Sequence, residues 1–219
     1  MCDHTFCYTP AVEYLRAMVN DGVLGEIQYF DSVRINLGLV RYDTDVLWDL
    51  APHDLSILDY VLPEGLRPVA VAAHGADPLA TGQACIAYLY LHLPGGAIAH
   101  VHVNWLSPVK VRMTLIGGEK KMIVWNDLVN DEKIRVYDRG VKVTSPEGVN
   151  ALKVGYRSGD MWAPKVEATE ALKLELGYFV NCINKNEVPI NDGLAGLRVV
   201  RMLEAGAESL SKKKEMVLA

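Results

Sequence analysis

The residues best suited to chemistry lie in the run Trp48-Asp49-Leu50-Ala51-Pro52-His53-Asp54. Proline is tolerated only in the first turn of a helix, so Pro52 predicts a helix beginning near Asp49 and running to about Leu62. Asp49 and His53 are then four apart on one helix face, about 6 Å from each other along the axis. A carboxylate so placed orients the imidazole and favours its cationic form, which suits a pair that moves a proton. The plainer alternative stays open: Asp49 caps the helix and His53 is an ordinary surface residue.

A second group lies between Tyr156 and Lys165, where Arg157, Asp160, Trp162 and Lys165 stand among glycine and proline breakers. Trp162 would stack on a polyol and Arg157 would pair an anion, though any long loop collects charges. A third is His100-x-His102, on a strand where Ile98, His100, His102 and Asn104 alternate with Ala99, Val101, Val103 and Trp105. Two imidazoles aimed the same way are a permissible metal pair. No third ligand has sensible spacing, so no metal is expected and a solvated or subunit-covered face is.

These residues need elements to hold them. Thr9 and Pro10 open a helix over Val12, Leu15, Met18 and Val19, closed by Asn20-Asp21-Gly22, and Met1 to Tyr8 reads as the tail of a strand before it. From Gly25 to about Leu37 the period becomes two, with Ile27, Tyr29, Asp31, Val33 and Ile35 on one face. After the helix near Asp49, strand patterns follow over Pro68–Ala76, Ala84–Leu93, Ala97–Leu106, Val109–Ile116, Lys120–Asn126 and Lys133–Tyr137. Pro94-Gly95-Gly96, Ser107-Pro108 and Gly117-Gly118-Glu119 look like hairpin joins, which predicts a meander. After Val149 the chain is expected to be irregular, and helices over Glu170–Asn184 and Leu194–Ser211 finish it. The fold class is α+β: a large, mostly antiparallel open sheet with helices packed on one face.

Bulk properties bound the function. Half of the 219 residues are apolar, 22% are charged and the net charge is −5, so no basic excess argues for nucleic acid. Lys212, Lys213 and Lys214 read as a solvated helix end. Cys2, Cys7, Cys85 and Cys182 form no CxxC pair, Cys85 and Cys182 lie in apolar runs, and a reducing cytoplasm fits. No signal peptide is expected ahead of Asp3 and His4, and no uncharged run reaches the roughly 18 residues of a membrane span.

Several pieces in order carry a resemblance: Asp3-His4-Thr5-Phe6-Cys7-Tyr8-Thr9-Pro10, Gly25-Glu26-Ile27, Trp48 to Asp54, Val103-Asn104-Trp105-Leu106-Ser107-Pro108-Val109-Lys110, Ile116-Gly117-Gly118, Tyr156-Arg157-Ser158-Gly159-Asp160 and Asp192-Gly193. Over nearly the whole chain they resemble the Gfo/Idh/MocA oxidoreductases, in particular the nucleotide-sugar and sugar dehydrogenase branch. The resemblance implies a Rossmann domain followed by an α/β domain whose open sheet makes a dimer interface. It implies that Asp49 and His53 match the family's Asp-x-x-x-His pair, with His53 the acid/base. It also implies oxidation of a sugar hydroxyl by hydride transfer to NAD or NADP.

There are departures. The 219 residues hold no G-x-G-x-x-G and no Glu-Lys-Pro, and Glu119-Lys120-Lys121 on a hairpin is no equivalent. Cys7 stands where many relatives have a basic residue. The expectation is that residues 1–22 are the last strand and helix of a dinucleotide-binding domain otherwise absent, and that 23–219 form a substrate-binding and dimerisation domain. The chain alone is expected not to bind the nucleotide, and to form a homodimer or higher homo-oligomer through the sheet face. Two rivals remain: a non-catalytic binding or scaffold protein on the same fold, and a metal-binding or hydrolytic protein using His53, His100 and His102.

Overall fold

A computed structural model describes residues 1–143 and 154–218. Thr9 caps α1 (Pro10–Asn20), its hydroxyl accepting the Val12 N–H at 3.3 Å, and Pro10 sits where a missing N–H removes no helical bond. The residues before α1 are not a strand end. Thr5–Tyr8 is a turn of 3-10 helix, because its backbone groups are satisfied locally: Cys7 N–H reaches the His4 carbonyl at 2.9 Å and Thr9 N–H the Phe6 carbonyl at 3.1 Å. The eight residues from Met1 to Tyr8 are too few to tell the two apart by pattern.

β1 (Ile27–Leu37) follows, then α2 (Val46–Val61), β2 (Ala70–Ala76), β3 (Ile86–His92), β4 (Ile98–Asn104), β5 (Leu106–Gly118), β6 (Met122–Asn126) and β7 (Ile134–Tyr137). The chain continues through β8 (Gly140–Val143), β9 (Val154–Arg157), β10 (Met161–Trp162), α3 (Ala171–Lys185), α4 (Gly193–Lys212) and β11 (Met216–Val217). Part of the stretch read as irregular after Val149 lies outside the described residues; beyond it, β9 and β10 are short strands. None of the described helices is long and apolar enough to cross a membrane.

Nine strands form one sheet in the order β10-β7-β6-β5-β1-β4-β3-β2-β11, and β8 with β9 makes a separate ribbon. The sheet is mostly antiparallel but not a meander. β1 lies between β4 and β5, parallel to β4 and antiparallel to β5. Ser107 and Pro108 therefore do not turn a hairpin; they belong to β5, and the chain crosses the end of β1 at Trp105. The crossing is tight. A Cβ on Gly38 would lie 2.7 Å from the Trp105 ring, and the Gly38 N–H donates to the Trp105 carbonyl at 2.9 Å.

α2 packs over β1, β3 and β4, and α4 over β2 beside α2. Ala99, Val101, Val103 and Trp105 are buried beneath them, with Phe30, Ile116, Ile123 and Val136 continuing that face. The alternating set faces the other way. His102 stacks on Tyr88 at 4.3 Å, His100 lies 5.0 Å from Tyr90, and Tyr88, Tyr90 and Ile98 are exposed. Among the described residues no group of three or more His, Cys, Asp or Glu side chains is arranged to hold a metal ion.

α2 begins three residues before the position that Pro52 suggested. Asp45 is its N-cap, with a carboxylate oxygen 2.9 Å from the Trp48 N–H. Pro52 thus sits inside the helix, and the interior tolerates the loss of its N–H because α2 is fixed by packing on the sheet and against α4: Leu47, Ala51, Leu55 and Leu58 are all fully buried. Asp45→Ala should lower unfolding stability by about 1 kcal/mol, measured by urea denaturation. A loss of that size for Asp49→Ala and none for Asp45→Ala would return the helix start to Asp49.

Candidate active site

His53 projects from α2 with its ring exposed at one side. Against the other side lies Phe6, edge to face, with centroids 5.3 Å apart and planes at 70°. Phe6 also meets Trp125 at 6.4 Å. The next residue of α2, Asp54, points into the sheet and is 2% exposed. Its Oδ2 accepts the Arg34 Nε–H at 2.6 Å, and Oδ1 accepts the Ser32 hydroxyl at 2.6 Å and an Arg34 Nη2–H at 3.3 Å. Arg34 and Arg112 stand opposite each other on β1 and β5, and the guanidinium carbons lie 4.4 and 5.7 Å from the Phe6 ring centre.

Asp49 does not hold the imidazole. Its Oδ2 accepts the Trp105 indole N–H at 2.9 Å, which pins the first turns of α2 to the strand crossing. No hydrogen bond among the described residues joins Asp49 to His53. Nor does the site favour the imidazolium, as the Asp–His spacing suggested. Protein packed against the ring pulls its pKa below the ordinary imidazole value, and the Arg34 and Arg112 charges push the same way. Asp54 and Asp49 oppose them and lose. His53 is therefore a neutral imidazole at pH 7, able to accept a proton.

The later group divides. Trp162 pairs with Val136, so by register its ring lies on the helix-bearing side of the sheet, and Lys121 Nζ sits 4.8 Å over it. Arg157 donates to the Asp138 carboxylate and to the Lys120 carbonyl. It lines a cavity of about 630 Å³ with Tyr29, Met122 and Tyr137, whose side chains alternate away from Phe30, Ile123 and Val136. Arg157 and His53 thus belong to opposite sides of the sheet. The Asp160 carbonyl accepts the Asp138 N–H at 2.8 Å, and Lys165 is exposed.

Phe6, Arg34, Asp54, Arg112 and Trp125 are the residues that pattern reading missed. The signal was present in β1, where Phe30, Ser32 and Arg34 form the buried face and the set beginning at Ile27 does not. An arginine in a buried alternation needs a carboxylate close by, and Asp54 follows His53.

The depressed pKa carries a direct test. Two-dimensional NMR titration of the imidazoles should place the His53 midpoint below about 6.5, and Arg112→Gln should raise it. Because the folded pKa lies under the unfolded value, this group's contribution to stability is present above about pH 6.5 and is lost as pH falls through the folded midpoint. A His53 midpoint at or above 6.5 would contradict the electrostatics described.

Residues 12–124 match the GFO/IDH/MocA C-terminal domain family. No curated protein sequence matches significantly. Three similar solved structures show the same fold. UDP-N-acetylglucosamine 3-dehydrogenase GnnA from Acidithiobacillus ferrooxidans is 21% identical with a TM-score of 0.72, covering 95% of this chain and 60% of its own. Levoglucosan dehydrogenase in complex with NADH and levoglucosan is 15% identical with a TM-score of 0.78, covering 100% of this chain and 66% of its own. An oxidoreductase domain protein from Kribbella flavida is 16% identical with a TM-score of 0.75, covering 99% and 66%. The chain therefore spans between 60% and 66% of the length of these three structures. With a matched family over more than half its residues and the expected mostly antiparallel sheet, the chain belongs to the Gfo/Idh/MocA family.

Proposed function

We propose that this chain is the substrate-binding and oligomerising part of an NAD(P)-dependent oxidoreductase that oxidises a hydroxyl of a sugar or nucleotide sugar. The observation that carries the reading is His53: an open imidazole kept neutral by packing and by two arginines, on the helix that the family match includes. A neutral imidazole within reach of a hydroxyl is a general base.

The residues of this chain do not themselves fit a dinucleotide. The sequence has no G-x-G-x-x-G, and the one parallel pair among the described strands, β1 with β4, is not joined by a glycine-rich turn opening a helix. NAD or NADP would supply the hydride acceptor when held by a Rossmann domain. This chain's part is to seat the sugar and take the hydroxyl proton at His53. Asp49 fixes α2 through Trp105 and so positions His53 at one remove. Trp162, steadied by Lys121, is the ring on which the sugar lies, with Asp160 and Lys165 flanking it, while Arg157 serves the cavity on the other side of the sheet and not this site.

The reading extends to assembly. A half-exposed sheet face bearing Tyr88, Tyr90 and Ile98 suits a two-fold contact with a second copy, as large apolar patches on folded proteins mark interfaces. Light scattering at tens of micromolar should give a homodimer or a higher homo-oligomer; a monomer there would count against it. In an enzyme completed with a related nucleotide-binding domain, His53→Ala should lower kcat on the order of 100-fold or more with the fold intact. Asp49→Asn should cost less, since it loosens the base without removing it. Turnover of His53→Ala within threefold of the parent enzyme would end the assignment.

A further inference from the structure

Arg34 and Arg112 are directly opposed on neighbouring strands, an arrangement that is unfavourable for like charges unless something anionic answers both. Asp54 answers Arg34 with two hydrogen bonds. Arg112 is served less well. Its carboxylate partner, Asp127, is 3.5 Å from an Nη1 and is shared with Lys133, whose Nζ lies 3.4 Å from the other oxygen. Arg112 and Lys133 thus share one carboxylate, Asp127, while Asp54 is committed to Arg34.

The unmet donors are built into the site. The Arg34 side chain is 4% exposed, and its Nη1 is shut from solvent with no acceptor among the described residues, as is the Arg112 Nε. The Arg112 side chain is 32% exposed, so part of it is reachable from solution. Both cations share the Phe6 ring, and Phe6 touches His53. Both also act electrostatically on the His53 imidazole. A planar guanidinium with free N–H groups matches carboxylate and phosphate oxygens.

Resting on the oxidoreductase reading above, we propose that Arg112, backed by Arg34, is an anion subsite beside His53, and that the sugar handled here carries an acidic group, a carboxylate or a phosphate. Arg112 touches the acidic group; Arg34 is a positioning residue that holds Phe6 and adds its charge from behind. A bound anion gives Arg112 an acceptor that it need not share with Lys133.

The test is a set of NMR titrations of the full chain at pH 7, following the His53 ring signals, with D-glucose, D-glucuronate and D-glucose 1-phosphate as probes. At least one acidic probe should saturate the shift with a Kd roughly tenfold or more below that of glucose, the size expected for a charge-assisted contact. The tighter acidic probe identifies the group as carboxylate or phosphate. In Arg112→Gln the preference should fall to within about twofold while the glucose response persists, and Arg112→Lys, which keeps charge without the fork, should retain part of it. Equal affinity for all three probes would overturn the subsite and leave the sugar reading standing. An acidic preference unchanged in Arg112→Gln would place the anion elsewhere and also overturn it. If none of the probes moves His53, the sugar reading itself fails and the subsite falls with it.

Discussion

The ion pair between Arg34 and Asp54 is the constraint on which the site depends. Its side chains are 4% and 3% exposed, and Ser32 shares the carboxylate at 2.6 Å while lying 3.4 Å from the Thr114 hydroxyl. Such a pair adds little net stability over apolar residues of the same shape, but losing one partner leaves a buried charge and costs about 3–5 kcal/mol. Its value is in register. Asp54 is adjacent to His53, so once it reaches Arg34 on β1 the rotation of α2 about its axis is set, and His53 must emerge toward Phe6. A second anchor, Trp105 to Asp49, sets the position of α2 along the sheet. Two fixed points a little over one turn apart orient an imidazole that bonds to neither.

The insertion of β1 between β4 and β5 makes both anchors available. Had β4 and β5 formed a hairpin, Arg34 would not face Arg112, and Trp105 would have no strand end to cross. The parallel β1–β4 pair needs a long connection, and the chain uses it for α2 and the β2–β3 hairpin. The helix carrying His53 is thus part of the crossover that places its partners. The same arrangement gathers Phe6, from the 3-10 turn, over two guanidiniums and against the imidazole, and this packing lowers the His53 pKa.

Local patterns were readable wherever one residue type dominates one period. β1, the strands from β2 to β7 and helices α3 and α4 lie within a few residues of where periodicity puts them, and the fold class follows. What was not readable depends on non-local pairing. No property of Ser107-Pro108 distinguishes a turn from a strand start until β1 is known to lie between. Pro52 misled because interior packing outweighs a single missing helical bond. Asp49 and His53 were legible as a pair by spacing, but not their separation in role, since the Trp105 indole that claims Asp49 is 56 positions away in sequence. Arg157 looked like a site residue by composition, whereas Asp138 and the ribbon of β8 and β9 decide which side of the sheet it serves.

The central claim is that a neutral His53, held so by packing and by its arginine neighbours, takes a proton from a sugar hydroxyl. The most direct measurement is the pH dependence of kcat/KM in the enzyme completed with a nucleotide-binding domain, since that profile reports the base in the free enzyme. The account predicts an acid limb with a slope of one and a midpoint below about 6.5, displaced upward in Arg112→Gln together with the His53 titration. An acid limb that keeps its position and height in His53→Gln would contradict it.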